Sequence, residues 1–371
     1  MSLSSPDRVP GLAAEWHREV ARLEWRAGDE GEPADLLAAF LAEHGLGGAA
    51  GAGTGDTAVA LLLGARGCAR LAGLPEGAAS PVPAVPELVA VALQRGGREA
   101  GRPGSRCMGE WASSWTDAEH AAAVEVVRAA IARGEVYQAN VVGHRSAPHR
   151  SDPAELAAAV AGLAGAIYGG TMAGQGWAVG CASPEQLVRV VGERITTVPI
   201  KGTLRVAPGS DAALRASTKD RAEHVMIVDL GRNDLSRVAR DVEVEELYGL
   251  SEWSGLWQAS STVAGRLEPG VEVLDVLRAL APGGSVTGAP KRAACALLAG
   301  LEPVGRGPAM GALGVVTPGG LDLGLTIRTV AADEDRVHLW AGGGITWSSD
   351  AAAEVDEAHA KAGPVLRALS S

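Results

Sequence analysis

Lys201 lies in the segment Pro199-Ile200-Lys201-Gly202-Thr203, between a stiff proline and a permissive glycine, and the next charge along the chain is Arg205. Two readings of such a lysine stand. It is either a solvated surface ammonium, or a desolvated amine whose lowered pKa frees it to act as a nucleophile. Glu354, Glu357 and Lys361 are spaced i, i+3 and i+7, which puts them on one face of a helix. That face is either a solvated one with an i,i+4 pair between Glu357 and Lys361, or part of a hard-cation site. Mg²⁺ suits the second reading, because it takes one or two carboxylates and completes its shell with substrate and water. Glu223, inside the helical stretch Ala222 to Val228, would bring a further carboxylate from another element.

Three more features are suited to holding anions. Pro282-Gly283-Gly284-Ser285-Val286-Thr287-Gly288-Ala289-Pro290-Lys291 is a loop that opens a helix, with Pro290 placed for its first turn. Such a loop can hold a carboxylate at the helix N-terminus. Ala341-Gly342-Gly343-Gly344 follows a strand, and three glycines either let main-chain N–H groups approach an anion or simply make a tight turn. Arg328, a charge inside Leu325-Thr326-Ile327-Arg328-Thr329, implies a carboxylate partner from the protein or from a ligand. Together these features outline an enzyme acting on a small polycarboxylate.

The elements that must position these groups follow from periodicity and punctuation. Helices are expected over Leu12–Trp25, Asp117–Arg133 with Thr116 as N-cap, Ser217–Val238, Val271–Leu280, Pro290–Leu298 and Ala351–Leu369. Strands are expected over Val136–Val142, Leu321–Ala331 and Arg336–Ala341, with Leu187–Val191 and Arg194–Pro199 as a hairpin about Gly192. Residues 45–55 and Gly77–Pro86 read as connections, and no Gly-Lys-Ser/Thr follows the first as a phosphate loop requires. Helices and strands alternate irregularly, without a βαβ series, so an α+β fold is expected.

Composition bounds the rest. A chain of 371 residues with 47% hydrophobic residues builds one large or two ordinary globular domains. A formal net charge of -11 argues against broad nucleic-acid binding and suits a soluble cytoplasmic protein, while a few local cations can still hold an anionic substrate. No apolar run is long enough to span a bilayer, and Met1 to Val20 lacks the pattern of a secretory signal. The four cysteines, Cys68, Cys107, Cys181 and Cys295, form no CxxC pair, so neither a disulfide framework nor a zinc site is indicated.

In this order, the segments resemble the chorismate-utilising enzymes: anthranilate synthase component I, aminodeoxychorismate synthase component I, isochorismate synthase and salicylate synthase. The resemblance runs through Gly134-Glu135-Val136-Tyr137-Gln138, Ser183-Pro184-Glu185, Pro199 to Thr203, Asp220 to Leu230 with Arg232-Asn233-Asp234, Pro282 to Lys291, Ile327-Arg328-Thr329, Ala341 to Ile345, and Glu354 with Glu357 and Lys361. It covers about residues 105–370, leaving residues 1–104 as a shortened N-terminal region before a catalytic domain over 105–371. It implies a single large α+β chorismate-binding domain of layered antiparallel sheets flanked by helices.

Within that family, Lys201 and the absence of lysine at Gln138 resemble the aminodeoxychorismate branch. Anthranilate synthases usually carry Ala at the first position, and isochorismate and salicylate synthases a water-activating Lys at the second. The resemblance implies that Lys201 attacks C2 of chorismate and that Glu185 is the acid/base at the C4 hydroxyl. Glu223, Glu357 and Glu354 would hold Mg²⁺. Arg328, Ser285, Gly343, Gly344, Thr203 and Lys361 would bind substrate. Ammonia would come from a glutaminase subunit, and the product would feed para-aminobenzoate and folate synthesis or a secondary pathway. The alternatives are anthranilate synthase component I and a silent chorismate-binding subunit. The chain also departs from the family's pattern. Gln258 stands at a customary His, Val315 at a Tyr, Val198 at an Arg, Ser348 at an acid, and Gly143-His144 at a Gln-Arg pair. The tryptophan-pocket motif common in the family's N-terminal region is absent.

Overall fold

A computed structural model describes residues 16–51, 55–95, 107–253 and 256–370. Two antiparallel sheets face each other with helices around them. The larger has ten strands. Trp16–Trp25, Leu88–Arg95, Thr57–Leu63, Ala312–Thr317, Gly320–Leu325, Gln186–Val191, Arg194–Val198, Leu256–Leu267 and Ile200–Arg205 run across it in that order, and Ala239–Trp253 pairs with Leu256–Leu267. The seven-stranded sheet runs Gly288–Ala289, Gln138–Pro148, Arg336–Ile345, Thr329–Ala332, Trp177–Ser183, Tyr168–Gly174, with Ala112–Ser113 on Gln138–Pro148. The expected layered α+β architecture is therefore present. Strands from the N-terminal part are woven into it, because Thr57–Leu63 pairs directly with Ala312–Thr317.

A continuous core holds the sheets together, with Trp25, Trp177 and Trp340 about 2% exposed among Leu61, Leu62, Val179, Val188 and Leu323. Each such aromatic removes roughly 150–250 Å² from water, so this layer dominates the apolar contribution to stability.

Four expectations need correction. Trp16–Trp25 is a strand paired with Leu88–Arg95, not the second half of a helix, while residues 12–15 lie outside the described residues. The expected strand Leu321–Ala331 is two strands, Gly320–Leu325 and Thr329–Ala332, which belong to different sheets. Arg328 is therefore not in a strand; it sits in the crossover with φ 51°. The Gly342–Gly344 run is not a loop after a strand. It lies inside Arg336–Ile345, registered against Asn140 to Val142.

Other elements match. The helix Asp117–Ala132 opens on a capping box in which Thr116 and Glu119 satisfy each other's end of the first turn. The long helix Thr218–Leu235 and the closing helix Ala351–Ser370 carry the carboxylates singled out above. Among the described residues, no helix is long and apolar enough to cross a membrane.

Candidate active site

Two chain crossovers between the sheets lie side by side. Ser183-Pro184-Glu185 leads from Trp177–Ser183 in one sheet to Gln186–Val191 in the other, and Thr326-Ile327-Arg328 makes the reverse passage. The Ala182 N–H donates to the Arg328 carbonyl at 3.2 Å, and the Leu325 N–H to the Glu185 carbonyl at 3.0 Å. This puts the Glu185 carboxyl and the Arg328 guanidinium in one cleft. Arg328 makes no side-chain hydrogen bond among the described residues. Burial lowers its pKa, and Glu185 opposes that shift.

Glu185 is 6% exposed. The Ser285 hydroxyl, from the short helix Gly284–Thr287, donates to its Oε1 at 2.7 Å. Burial raises the Glu185 pKa, against the Ser285 hydrogen bond, Lys201, the Ile200 N–H and Lys361. Lys201 enters from the strand Ile200–Arg205. Its pKa is lowered by burial first and by Lys361 second, with Glu185, Glu223 and Glu357 pulling the other way. Burial thus shifts the two groups in opposite directions, the Glu185 pKa upward and the Lys201 pKa downward. Lys201 is therefore partly buried in the cleft and is not a fully solvated surface ammonium.

The glycine strand closes the cleft. A Cβ on Gly344 would sit 2.9 Å from Lys201 Nζ and would collide with the Gln138 amide. A Cβ on Gly343 would sit 2.9 Å from Glu354 Oε2, 3.7 Å from Glu357 Oε1 and 3.7 Å from Lys361 Nζ. The glycines are needed because functional side chains fill the space a Cβ would take, not because the backbone turns there. Gln138 is fully buried, and neither of its amide atoms has a hydrogen-bond partner.

Lys361 donates to the Gly342 carbonyl at 2.9 Å and pairs with Glu357 at 2.6 Å, as the i,i+4 spacing suggested. Thr346, which follows the glycine strand, donates through Oγ1 to Glu223 Oε1 at 3.3 Å. Among the described residues, no three His, Cys, Asp or Glu groups converge as a closed metal cage. Glu354 and Glu357 do share one point beside Gly343, and Glu223 and Glu357 both act on Lys201. An open set of two or three carboxylates fits an ion that keeps waters and takes the rest of its shell from substrate. The side chain of Thr203 lies outside the described residues.

Two contributors were not singled out from the sequence. His224, buried beside Glu223, meets Ser261 Oγ through Nε2 at 2.5 Å, and the Ser261 N–H donates to the Pro199 carbonyl at 3.2 Å. Together they tie the helix Thr218–Leu235 to the start of the Lys201 strand. The signal available was a histidine next to a candidate ligand. Its partner Ser261 is 37 residues away and could not be inferred. Gln258 lies opposite Thr203 on the neighbouring strand, and Ala259 opposite Lys201.

The cleft thus gathers the Glu185 carboxyl, the Lys201 amine and the Arg328 guanidinium, the last without a side-chain hydrogen bond among the described residues. The sequence profile of the chorismate binding enzymes matches residues 87–367, and the chain belongs to that family. It is 38% identical over 270 residues to anthranilate synthase component 1 of Streptomyces coelicolor, covering 70% of this chain and 53% of that protein. To aminodeoxychorismate synthase component 1 of Klebsiella aerogenes it is 36% identical over 270 residues, covering 70% and 60%. The alignment thus spans between about half and three fifths of these relatives. Among solved structures, anthranilate synthase component I from Streptococcus pneumoniae superposes with a TM-score of 0.79 at 22% identity, over 98% of this chain and 95% of that one.

Proposed function

We propose that this chain aminates chorismate to 4-amino-4-deoxychorismate, with Lys201 as the nucleophile and Glu185 as the acid. The observation that carries this reading is the placement of Lys201 Nζ in the cleft against Gly344, near Glu185, in surroundings that lower its pKa. The relatives' names divide between anthranilate and aminodeoxychorismate synthases, so the reading rests on the site itself.

The neutral amine of Lys201 attacks C2 of chorismate. Both conjugated ring double bonds shift, and the C4 hydroxyl leaves as water, with its proton from Glu185. Hydroxide alone is a poor leaving group, so a buried, protonated acid is the group this step needs. Ammonia then adds at C4, both double bonds shift back, and the C2–N bond to Lys201 breaks. The surplus proton returns to Glu185, so one ammonia replaces one water overall. Arg328, which faces Glu185 across the cleft but makes no side-chain hydrogen bond among the described residues, takes a substrate carboxylate. Mg²⁺ held by Glu223, Glu357 and Glu354 would neutralise the ring carboxylate.

Gln258 supports a product that retains its enolpyruvyl group, because an amide does not transfer protons at neutral pH. We place the source of ammonia in a separate glutaminase subunit. Mass analysis after incubation with chorismate, Mg²⁺ and ammonium at alkaline pH should find 4-amino-4-deoxychorismate. Anthranilate would refute the assignment, and no turnover even with a glutaminase would favour a silent subunit.

A further inference from the structure

Beneath the closing helix lies a second cavity, lined by none of the residues assigned to chorismate chemistry. Trp115, His120, Arg145, Asp117, His359 and Gly143 face it. Its wall carries several donors that no protein group engages among the described residues. The Trp115 indole N–H, the His120 imidazole and the Arg145 guanidinium have no hydrogen-bond partner among the described residues, although Trp115 is 9% and His120 4% exposed. The two rings stack with centroids 4.7 Å apart at 21°, which fixes the direction of both. The one carboxylate on the wall, Asp117, pairs through Oδ1 with His359 Nε2 on the same wall at 2.9 Å.

Gly143 opens this space. A Cβ there would lie 3.2 Å from Trp115 Nε1 and 3.6 Å from His120 Cε1. The room for centres of water-sized atoms is about 20 Å³, which suits a group of a few atoms entering from the mouth rather than a whole chorismate. Three donors converging on one small space can be engaged together by a single charged acceptor.

We propose that this cavity binds the carboxylate group of a small organic acid, with Arg145 as its ion-pair partner and Trp115 Nε1 and His120 as its hydrogen-bond donors. The proposal is independent of the chemistry assigned to Lys201. Burial lowers the His120 pKa, with Asp117 opposing and His359 and Arg145 adding to the effect. A neutral ring keeps one N–H to offer, and the formal charge comes from Arg145. Ala358 and Ala362 of the helix Ala351–Ser370 also line the cavity, so a ligand there touches the element that carries Glu354 and Glu357.

The test titrates the full chain with acetate, neutral acetamide or inorganic phosphate at ionic strength held constant with chloride. Histidine resonances are followed in labelled protein, with His120 assigned from the His120→Asn variant. Acetate should shift the His120 signal saturably, with half-saturation in roughly the millimolar range, and acetamide should not. Gly143→Val should fill the cavity and abolish the shift, and Arg145→Gln should abolish it without adding bulk. No acetate response, an equal response to acetamide, or an unchanged response in Arg145→Gln overturns the proposal. Saturation by phosphate alone overturns the carboxylate assignment. If Gly143→Val lowers Tm sharply, Arg145→Gln decides.

Discussion

Ser285 Oγ donates to Glu185 Oε1 at 2.7 Å, across 100 residues of sequence. The bond favours the ionised carboxyl, while burial favours the protonated one and prevails, since the Glu185 pKa is raised. Ser285→Ala removes an acidifying influence, so the Glu185 pKa should rise further. A hydrogen bond to a charged group contributes about 1.5–3 kcal/mol, or roughly one to two pKa units. The limb of the kcat profile on which activity is lost as Glu185 deprotonates should move to higher pH by that amount. A limb that stays in place removes Glu185 as the acid.

Lys201→Met separates catalysis from stability. Formation of the 4-amino product should fall at least about a thousandfold. The folded-state pKa of Lys201 lies below its ordinary value. Such a base destabilises the fold as pH drops from its unfolded pKa toward its folded one, and neutral pH lies below that unfolded value. Replacing it with an apolar chain of similar length should leave Tm at neutral pH unchanged or raise it. Lost activity together with a Tm several degrees lower would mean that the lysine is structural.

Local signals were legible in the sequence, and long-range ones were not. Thr116 and Glu119 lie within one turn of each other, so the helix they cap could be read directly. Trp16–Trp25 is a strand because Leu88–Arg95 pairs with it, and that partner is distant in sequence. The apolar run Leu321–Ala331 hides a change of sheet, because only the identity of the neighbouring strands marks the break at Arg328. Lys201, Glu185 and the helical glutamates were recognisable from motifs. That Ser285 would engage Glu185, and that a Cβ at Gly344 would crowd Lys201, depend on the sheets closing over one another.

Gly344→Ala tests that last point. Gly344 has no positive φ and sits in a paired strand, so alanine fits the backbone. The added Cβ would lie 2.9 Å from Lys201 Nζ and would strike the Gln138 amide, displacing both. A displacement of about 1 Å at a reacting group costs on the order of 10²-fold in rate. The variant should keep its sheet content and most of its Tm, with kcat reduced to that extent. Wild-type kcat would show that Gly344 does not border the reacting centre.

Glu357→Ala should raise the Mg²⁺ concentration for half-maximal activity at least about tenfold and raise KM for chorismate with it, since the ion would bridge protein and ring carboxylate. An unchanged Mg²⁺ response removes Glu357 from the ligand set.

Arg328 supplies the test of substrate carboxylate binding. Its guanidinium has no hydrogen-bond partner among the described residues, and its main chain holds φ 51° in the crossover. A non-glycine residue is strained there, so Arg328→Gly would relieve the backbone while removing the cation. Arg328→Gln keeps a shorter polar chain with an amide donor but loses the charge. If the guanidinium binds a carboxylate in ground and transition states alike, both variants should raise KM by about 10- to 100-fold with kcat nearly unchanged, since a charge-assisted hydrogen bond contributes about 1.5–3 kcal/mol. The glycine variant should also match or exceed the wild-type Tm, because a half-buried cation and a strained residue have both been removed. A KM like that of the wild type in Arg328→Gln would place the substrate carboxylates elsewhere in the cleft.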